Sequence, residues 1–260
     1  GVISDDSPST QCGGIGLDQC FILTVSGNRK RCLRKDFLQR LLLVHQQIAR
    51  RGPNKDLDAA NIVLFFAKNL HQDTLRLRDN DLSTDISFEN FWNNHSKIKQ
   101  KNFKIISIAK ETGLPKETTR RKINNLIKNK MLGKDKIYLS WTPEDKHKES
   151  YNKIVSDELK QISKLIQVIS VHLDINFSRE KITDELKKNY SFYWFHYLNT
   201  QLKYLKMWQN RLNDLELLLI SMQCLIQSNS SSEKGISDNI KLGSVSATSI
   251  SDVTGIPRAT

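Results

Sequence analysis

Ile106-Ser-Ile-Ala-Lys-Glu-Thr-Gly-Leu-Pro-Lys-Glu-Thr-Thr-Arg-Arg-Lys-Ile-Asn-Asn-Leu-Ile-Lys-Asn-Lys-Met-Leu132 reads as two helices joined by a tight turn. A short helix over 107–112 puts Ile108 and Ala109 inward. Gly113 then turns the chain, because glycine alone takes positive φ without steric cost. Leu114 points into the core, and Pro115 suits the first turn of the next helix, where its missing N–H was unpaired anyway. Over 115–130, Thr119, Ile123, Leu126 and Ile127 recur at helical spacing. The opposite face carries Lys116, Thr118, Arg120, Arg121, Lys122, Asn124 and Asn125. Side chains of these types bind phosphates and read base edges.

The residues that follow extend the pattern. Ile137, Leu139 and Trp141 alternate with Tyr138 and Ser140, which is strand periodicity. A hairpin is therefore expected over 133–141, with Lys134 and Lys136 at its tip, and Phe103 to Ile106 can add a third strand. The order strand, helix, turn, helix, hairpin over 88–142 resembles the winged helix-turn-helix of bacterial transcriptional regulators, particularly the MarR-like and IclR-like groups. That resemblance implies a second helix that enters the major groove and a wing that touches the backbone or minor groove. Carried onto this sequence, Lys116, Thr118, Arg120, Arg121 and Asn124 face DNA, Lys134 and Lys136 hold phosphates, and Lys104 and Lys110 add backbone contacts. Thr119 departs from the pattern, since such helices place valine or a similar apolar residue there.

Charge agrees with this reading. From Lys101 to Ser140 there are eleven basic residues against three acids, a local net of +8 within a chain of net charge +12. A charge run is more often a solvated face, but here it coincides with the helix-turn-helix. Ile250-Ser-Asp-Val-Thr-Gly-Ile-Pro-Arg-Ala-Thr260 repeats Ile108 to Thr118 at Ile, Thr, Gly, Pro and Thr. The repeat predicts the start of a second, truncated helix-turn-helix at 248–260, in a parent chain that continues.

Around the motif the pattern is mainly α. Residues 1–34 are expected to be a poorly ordered segment, with a basic cluster at Arg29, Lys30, Arg31, Arg34 and Lys35. Residues 35–87 read as helices, one from Asp36 to Arg51 and one from Asp56 or Asp58 to about Leu70. Phe88, Phe91, Trp92, His95 and Ile98 suit a first helix of the winged domain, packed behind the recognition helix. Over 150–226 a long helical hairpin is expected. Its first arm has a seam of Val155, Leu159, Ile162, Ile166, Ile169 and Leu173; Ser178 caps a short helix; an almost continuous stripe runs from Phe192 to Ile226. That stripe suits an intramolecular hairpin or a homodimer seam. The aromatic group Phe192, Tyr193, Trp194, Phe195 and Tyr197 reads as core, with an effector pocket as the other reading. Residues 227–247 are Ser-rich and read as a flexible linker.

Chemistry of other kinds finds no foothold in the sequence. Cys12, Cys20, Cys32 and Cys224 match no zinc spacing, and the six histidines are scattered. Gly13-Gly-Ile-Gly16 lacks the strand before it and the Lys-Ser/Thr after it that a phosphate loop needs. Asp79, Asp81 and Asp85 lack the Gly and terminal Glu of a calcium loop. The apolar run Leu215–Ile226 is too short and polar to span a membrane. The expectation is a cytoplasmic, non-enzymatic protein without cofactor, whose partner is double-stranded DNA, with no membrane, and with a second copy of itself where the stripe serves as a homodimer seam rather than an intramolecular hairpin. The alternatives are a winged-helix interaction scaffold and an RNA-binding protein.

Overall fold

Asp56 starts the first described helix. Its carboxylate accepts from the Ala59 N–H at 3.0 Å, satisfying one of the orphan donors of the first turn. The computed structural model describes residues 56–95, 97–173, 175, 177–231, 246–254 and 256. The expected 1–34 segment, its basic cluster, the Asp36–Arg51 helix and three of the four cysteines lie outside these residues. So does most of the expected linker.

Helix α1 spans Leu57–Asn80, ten residues past the Leu70 expected from the apolar pattern. Beyond Leu70 it becomes amphipathic and then polar, so apolar spacing no longer marks it. Five residues, Phe91–His95, form α2, and α3 is Ile105–Thr112. Next come α4, Lys116–Lys128, and the antiparallel strands β1, Gly133–Asp135, and β2, Tyr138–Ser140. Four helices follow: α5 (Asp145–His172), α6 (Arg179–Lys188), α7 (Tyr190–Leu212) and α8 (Leu215–Ser231). Residues 227–231, expected in the linker, are the last turn of α8. The short helix α9 spans Ala247–Thr254 and packs on α8. Among the described residues the protein is therefore mainly helical, with one small two-stranded sheet, and no helix is long and apolar enough to cross a membrane.

The core gathers on α1. From Leu57 to His71 only Asp58 and Lys68 escape full burial. Helices α3, α4, α7 and α8 all pack against it. The helix behind α4 is thus α1, not the 88–98 segment expected there. That segment forms only the five residues of α2, and serves as an aromatic bridge. Phe91 stacks on His71 at 4.5 Å between centroids and meets Tyr190 edge-on; Trp92 meets Trp141, and Trp141 meets Tyr151 at 5.1 Å. Trp92 Nε1 donates to Asn152 Oδ1 at 2.7 Å. The bridge ties α1, the end of the hairpin, α5 and α7 into one apolar cluster.

The almost continuous stripe expected from Phe192 to Ile226 is two helices. Asn213 ends α7 with φ 56°, the left-handed conformation that asparagine tolerates. The Asp214 carboxylate then accepts from the Glu216 N–H at 2.7 Å and opens α8. Asn-Asp at 213–214 was the signal, and periodicity ran across it. Nor do α5 and α7 form the expected hairpin: α5 pairs with α6, and the buried face of α7 lies on α1. The expected cap of α6 is present, with Ser178 Oγ accepting from the Lys181 N–H at 3.3 Å. The aromatic group splits. Trp194 is buried, whereas Phe192 is exposed.

Between α3 and α4 the turn is as the sequence predicts. Gly113 has φ 76°. A Cβ there would lie 3.2 Å from Lys206 Cγ and 3.6 Å from Lys206 Cα, so α7 closes on the turn. Gly113→Ala should lower the unfolding free energy by about 1–2 kcal/mol, the cost of a left-handed non-glycine residue. Urea unfolding checks this; an unchanged midpoint would mean the turn has another conformation.

Candidate nucleic-acid interface

Helix α4 sorts its residues by face. Thr119, Ile123 and Leu126 are buried, and Leu114 in the turn before it is 4% exposed. Thr119, the departure from an apolar pattern, is fully buried; its hydroxyl donates to the Pro115 carbonyl at 3.0 Å, which meets its polar need. Pro115 sits just outside the helix, at the cap position rather than in the first turn. The helix end is held by α5. The His147 ring donates to the Asn129 carbonyl at 2.8 Å, the Glu144 N–H donates to the Lys130 carbonyl at 3.2 Å, and Lys130 Nζ pairs with Glu144 at 2.7 Å. Orphan carbonyls of the turn that leads into β1 thus find donors.

The hairpin is short. Gly133 faces Ser140 and Asp135 faces Tyr138, with Lys136 and Ile137 in the turn and Lys136 at φ 52°. The third strand reduces to one residue: Phe103 bridges Leu139, because Ile105 already begins α3. Ile137 does not share the inward face of Leu139 and Trp141; it is 60% exposed at the tip. Gln100 fixes the far end. Its side-chain carbonyl accepts from the Trp141 N–H at 2.8 Å while its amide donates to the Trp141 carbonyl at 2.9 Å. The His95 ring also donates to that carbonyl, at 2.7 Å, and burial pulls its pKa down.

Of the seven residues expected to face DNA, six are exposed: Lys116, Arg120, Arg121, Asn124, Lys134 and Lys136. Thr118 is half-buried. Lys116, Arg120 and Asn124 follow one another at four-residue steps, with Arg121 beside them. Lys128 continues the same row and was missed, although i+4 spacing marks it. Arg120 is bound to Glu117, with Nε 2.9 Å from Oε1, and this hydrogen bond holds the Glu117 carboxyl below its usual range. Both side chains are exposed. Among the described residues Lys116, Arg121, Lys134 and Lys136 have no ion-pair partner.

Lys122 belongs elsewhere. The sequence puts it on the outer face, but its Nζ lies 2.5 Å from Asp56 and 3.7 Å from Asp58, with its side chain 19% exposed. It is the only one of the eleven motif cations that is not exposed. It anchors α4 to the first turn of α1. Burial pushes the Asp58 carboxyl up, against the Lys122 charge beside it, and Glu216 is raised in the same way, by burial and then by Asp214.

No protein-family model, curated protein or solved structure matches this chain.

Lys122→Met keeps the stem and leaves two carboxylates without their cation. It should cost about 1–2 kcal/mol, whereas Arg121→Met stays within about 0.5 kcal/mol. Thermal and urea unfolding distinguish them. The pH dependence has a fixed sign. A raised Asp58 binds its proton more tightly folded than unfolded, so its contribution is greatest at low pH and is lost as pH rises through the raised pKa. Asp58→Asn should therefore gain stability relative to the parent as pH rises through the mildly acidic range. A flat difference would show that Asp58 does not titrate there.

Proposed function

We propose that the chain is a sequence-specific DNA-binding protein of transcriptional regulation, built as a winged helix-turn-helix, with α4 in the major groove and the β1–β2 hairpin as the wing. The supporting observation is the row Lys116, Arg120, Arg121, Asn124 and Lys128, exposed on one side of α4 and followed by a hairpin with an exposed Lys134 in β1, rather than at the tip as the sequence predicts, and Lys136 in its turn. An exposed helix presenting two guanidiniums and an asparagine carries the groups that pair with guanine and adenine edges. The lysines supply phosphate contacts, which position the protein without reading sequence. Glu117 holds Arg120 in the free protein and would hand it over to a phosphate or base. On this reading the chain is a binding protein of the cytoplasm rather than an enzyme.

Two measurements test the reading. Each phosphate contact contributes about 0.9 to the slope of log affinity against log salt, so the pair Lys134→Ala, Lys136→Ala should flatten that slope by up to about 1.8 and weaken all duplexes alike. An unchanged slope takes the hairpin out of the interface. No duplex binding at low salt supports a scaffold instead, and preference for structured RNA over duplex in competition supports an RNA-binding protein.

Arg121 is expected to read a base. A guanidinium that grips a guanine edge with two hydrogen bonds contributes about 1–3 kcal/mol of discrimination. Selection of sites from a random duplex library, with and without Arg121→Ala, should show preference relaxed at one position and non-specific affinity nearly unchanged. Identical selected sites would make Arg121 a backbone contact.

A further inference from the structure

Helix α4 carries a single acid, Glu117, and it stands on the outermost ridge. At about 100° per residue, Glu117, Arg121, Asn124 and Lys128 fall within roughly 60° of one another around the helix axis. All four are exposed. The buried row of Thr119, Ile123 and Leu126 lies on the opposite side. The carboxylate is therefore set at the middle of the outward face. It does not stand at the border, from which Lys122 reaches α1.

Arg120 holds it there. Its Nε donates to both carboxylate oxygens, at 2.9 and 3.1 Å. Among the described residues no second cation lies within ion-pair distance of Glu117. Each oxygen keeps lone-pair capacity for a further donor. When Arg120 passes to DNA, the carboxylate needs a new donor in its place.

An acid on a surface that meets a polyanion is costly, because phosphates repel it in every sequence alike. The floor of the major groove offers what the phosphates do not. Cytosine and adenine present exocyclic amines there, whereas guanine and thymine present acceptors. We propose that Glu117 reads a cytosine through its exocyclic amine, and that its charge lowers the affinity for duplexes lacking one at that position. This rests on the reading of α4 as the helix that enters the major groove. Cytosine is favoured over adenine by the second carboxylate oxygen. Beside the adenine amine lies N7, an acceptor that repels it, while the edge of cytosine presents the amine alone. The place along the helix agrees, since Glu117 is in the first turn and recognition helices touch base edges with their N-terminal residues. An acid in the first turn also suits the helix dipole. That role by itself predicts a lower melting temperature on substitution and no change in the sequences bound.

Site selection from a random duplex library tests the proposal, with the 260-residue chain and its Glu117→Gln and Glu117→Ala variants. The parent should select a site with cytosine at one position, preferred roughly five- to a hundredfold over the other bases. Glu117→Gln, whose amide can grip adenine N6 and N7 together, should shift that position to adenine, and Glu117→Ala should leave it unspecified. Both variants lose a negative charge that faces phosphates, so at low salt each should bind an unrelated duplex about fivefold more tightly. Circular dichroism checks that each variant keeps its helix content. If both variants select the parent's site, Glu117 reads no base and the proposal falls, with DNA binding by α4 intact. Affinity for the unrelated duplex that fails to rise overturns the charge effect. A parent that selects no sequence overturns both the role of Glu117 and the sequence-specific reading of α4.

Discussion

Burial of α1 between Leu57 and His71 is the constraint from which the rest follows. A helix covered on every side must be given partners on every side, and α3, α4, α7 and α8 are those partners. Each fully buried Leu, Ile, Val or Phe on it contributes roughly 1.5–3 kcal/mol relative to exposure. One polar residue in that stretch shows how the motif is seated. Asn61 is fully buried, and its amide donates to the Thr112 carbonyl at 3.1 Å. That carbonyl is one of the last in α3, left without a helical partner where Gly113 turns away. The buried amide N–H and the orphan carbonyl each supply what the other lacks. The end of α3 is therefore anchored by a helix some fifty residues earlier in the chain.

Local rules explain what was legible in the sequence. Gly113, Leu114, Thr119, Ile123 and Leu126 have the conformations and burial the sequence predicts, because a turn residue and an i, i+4 row are decided within a few residues. The hairpin was legible for the same reason, apart from Ile137, which alternation placed inward and the two-residue turn places outward. Global partners were not legible. Nothing in the apolar spacing of 57–80 says that it lies behind α4 while 88–98 does not, since both segments carry suitable faces. The difference is that α1 is long enough to serve four neighbours at once. Likewise, a stripe at helical spacing continues through Asn213 because two consecutive helices can share one buried face. Only the Asn-Asp pair marks the break.

The fate of Lys122 shows where residue type misleads. Seven polar side chains of α4 looked equivalent in sequence. Lys122 stands at the border between the buried row and the outer row, and its long stem lets the ammonium reach either side. The deciding partner, Asp56, is the cap of α1. Its carboxylate serves two ends, since Oδ1 accepts from the helix N–H and Oδ2 meets the ammonium. Sequence reading found Asp56 as a helix start and Lys122 as a basic residue, but not that one satisfies the other.

Charge alone would not make α4 and the hairpin a candidate site, and α5 supplies the comparison within the same molecule. The first half of α5 is as rich in charge, yet it holds five cations and four anions, and Lys148–Asp145 and Lys160–Asp157 pair along the helix. That is how a helix face behaves when water is its only partner. In the motif ten exposed cations face three acids, and of these Glu117 is bound to Arg120. At physiological salt the screening length is about 8 Å, so cations on successive turns of one helix still repel one another. The free protein relieves that repulsion only at Arg120, through Glu117, and at Lys130, through Glu144. A polyanion laid along α4 would relieve it and release its own counterions. The imbalance, rather than the number of lysines and arginines, is what distinguishes this surface from the charged part of α5.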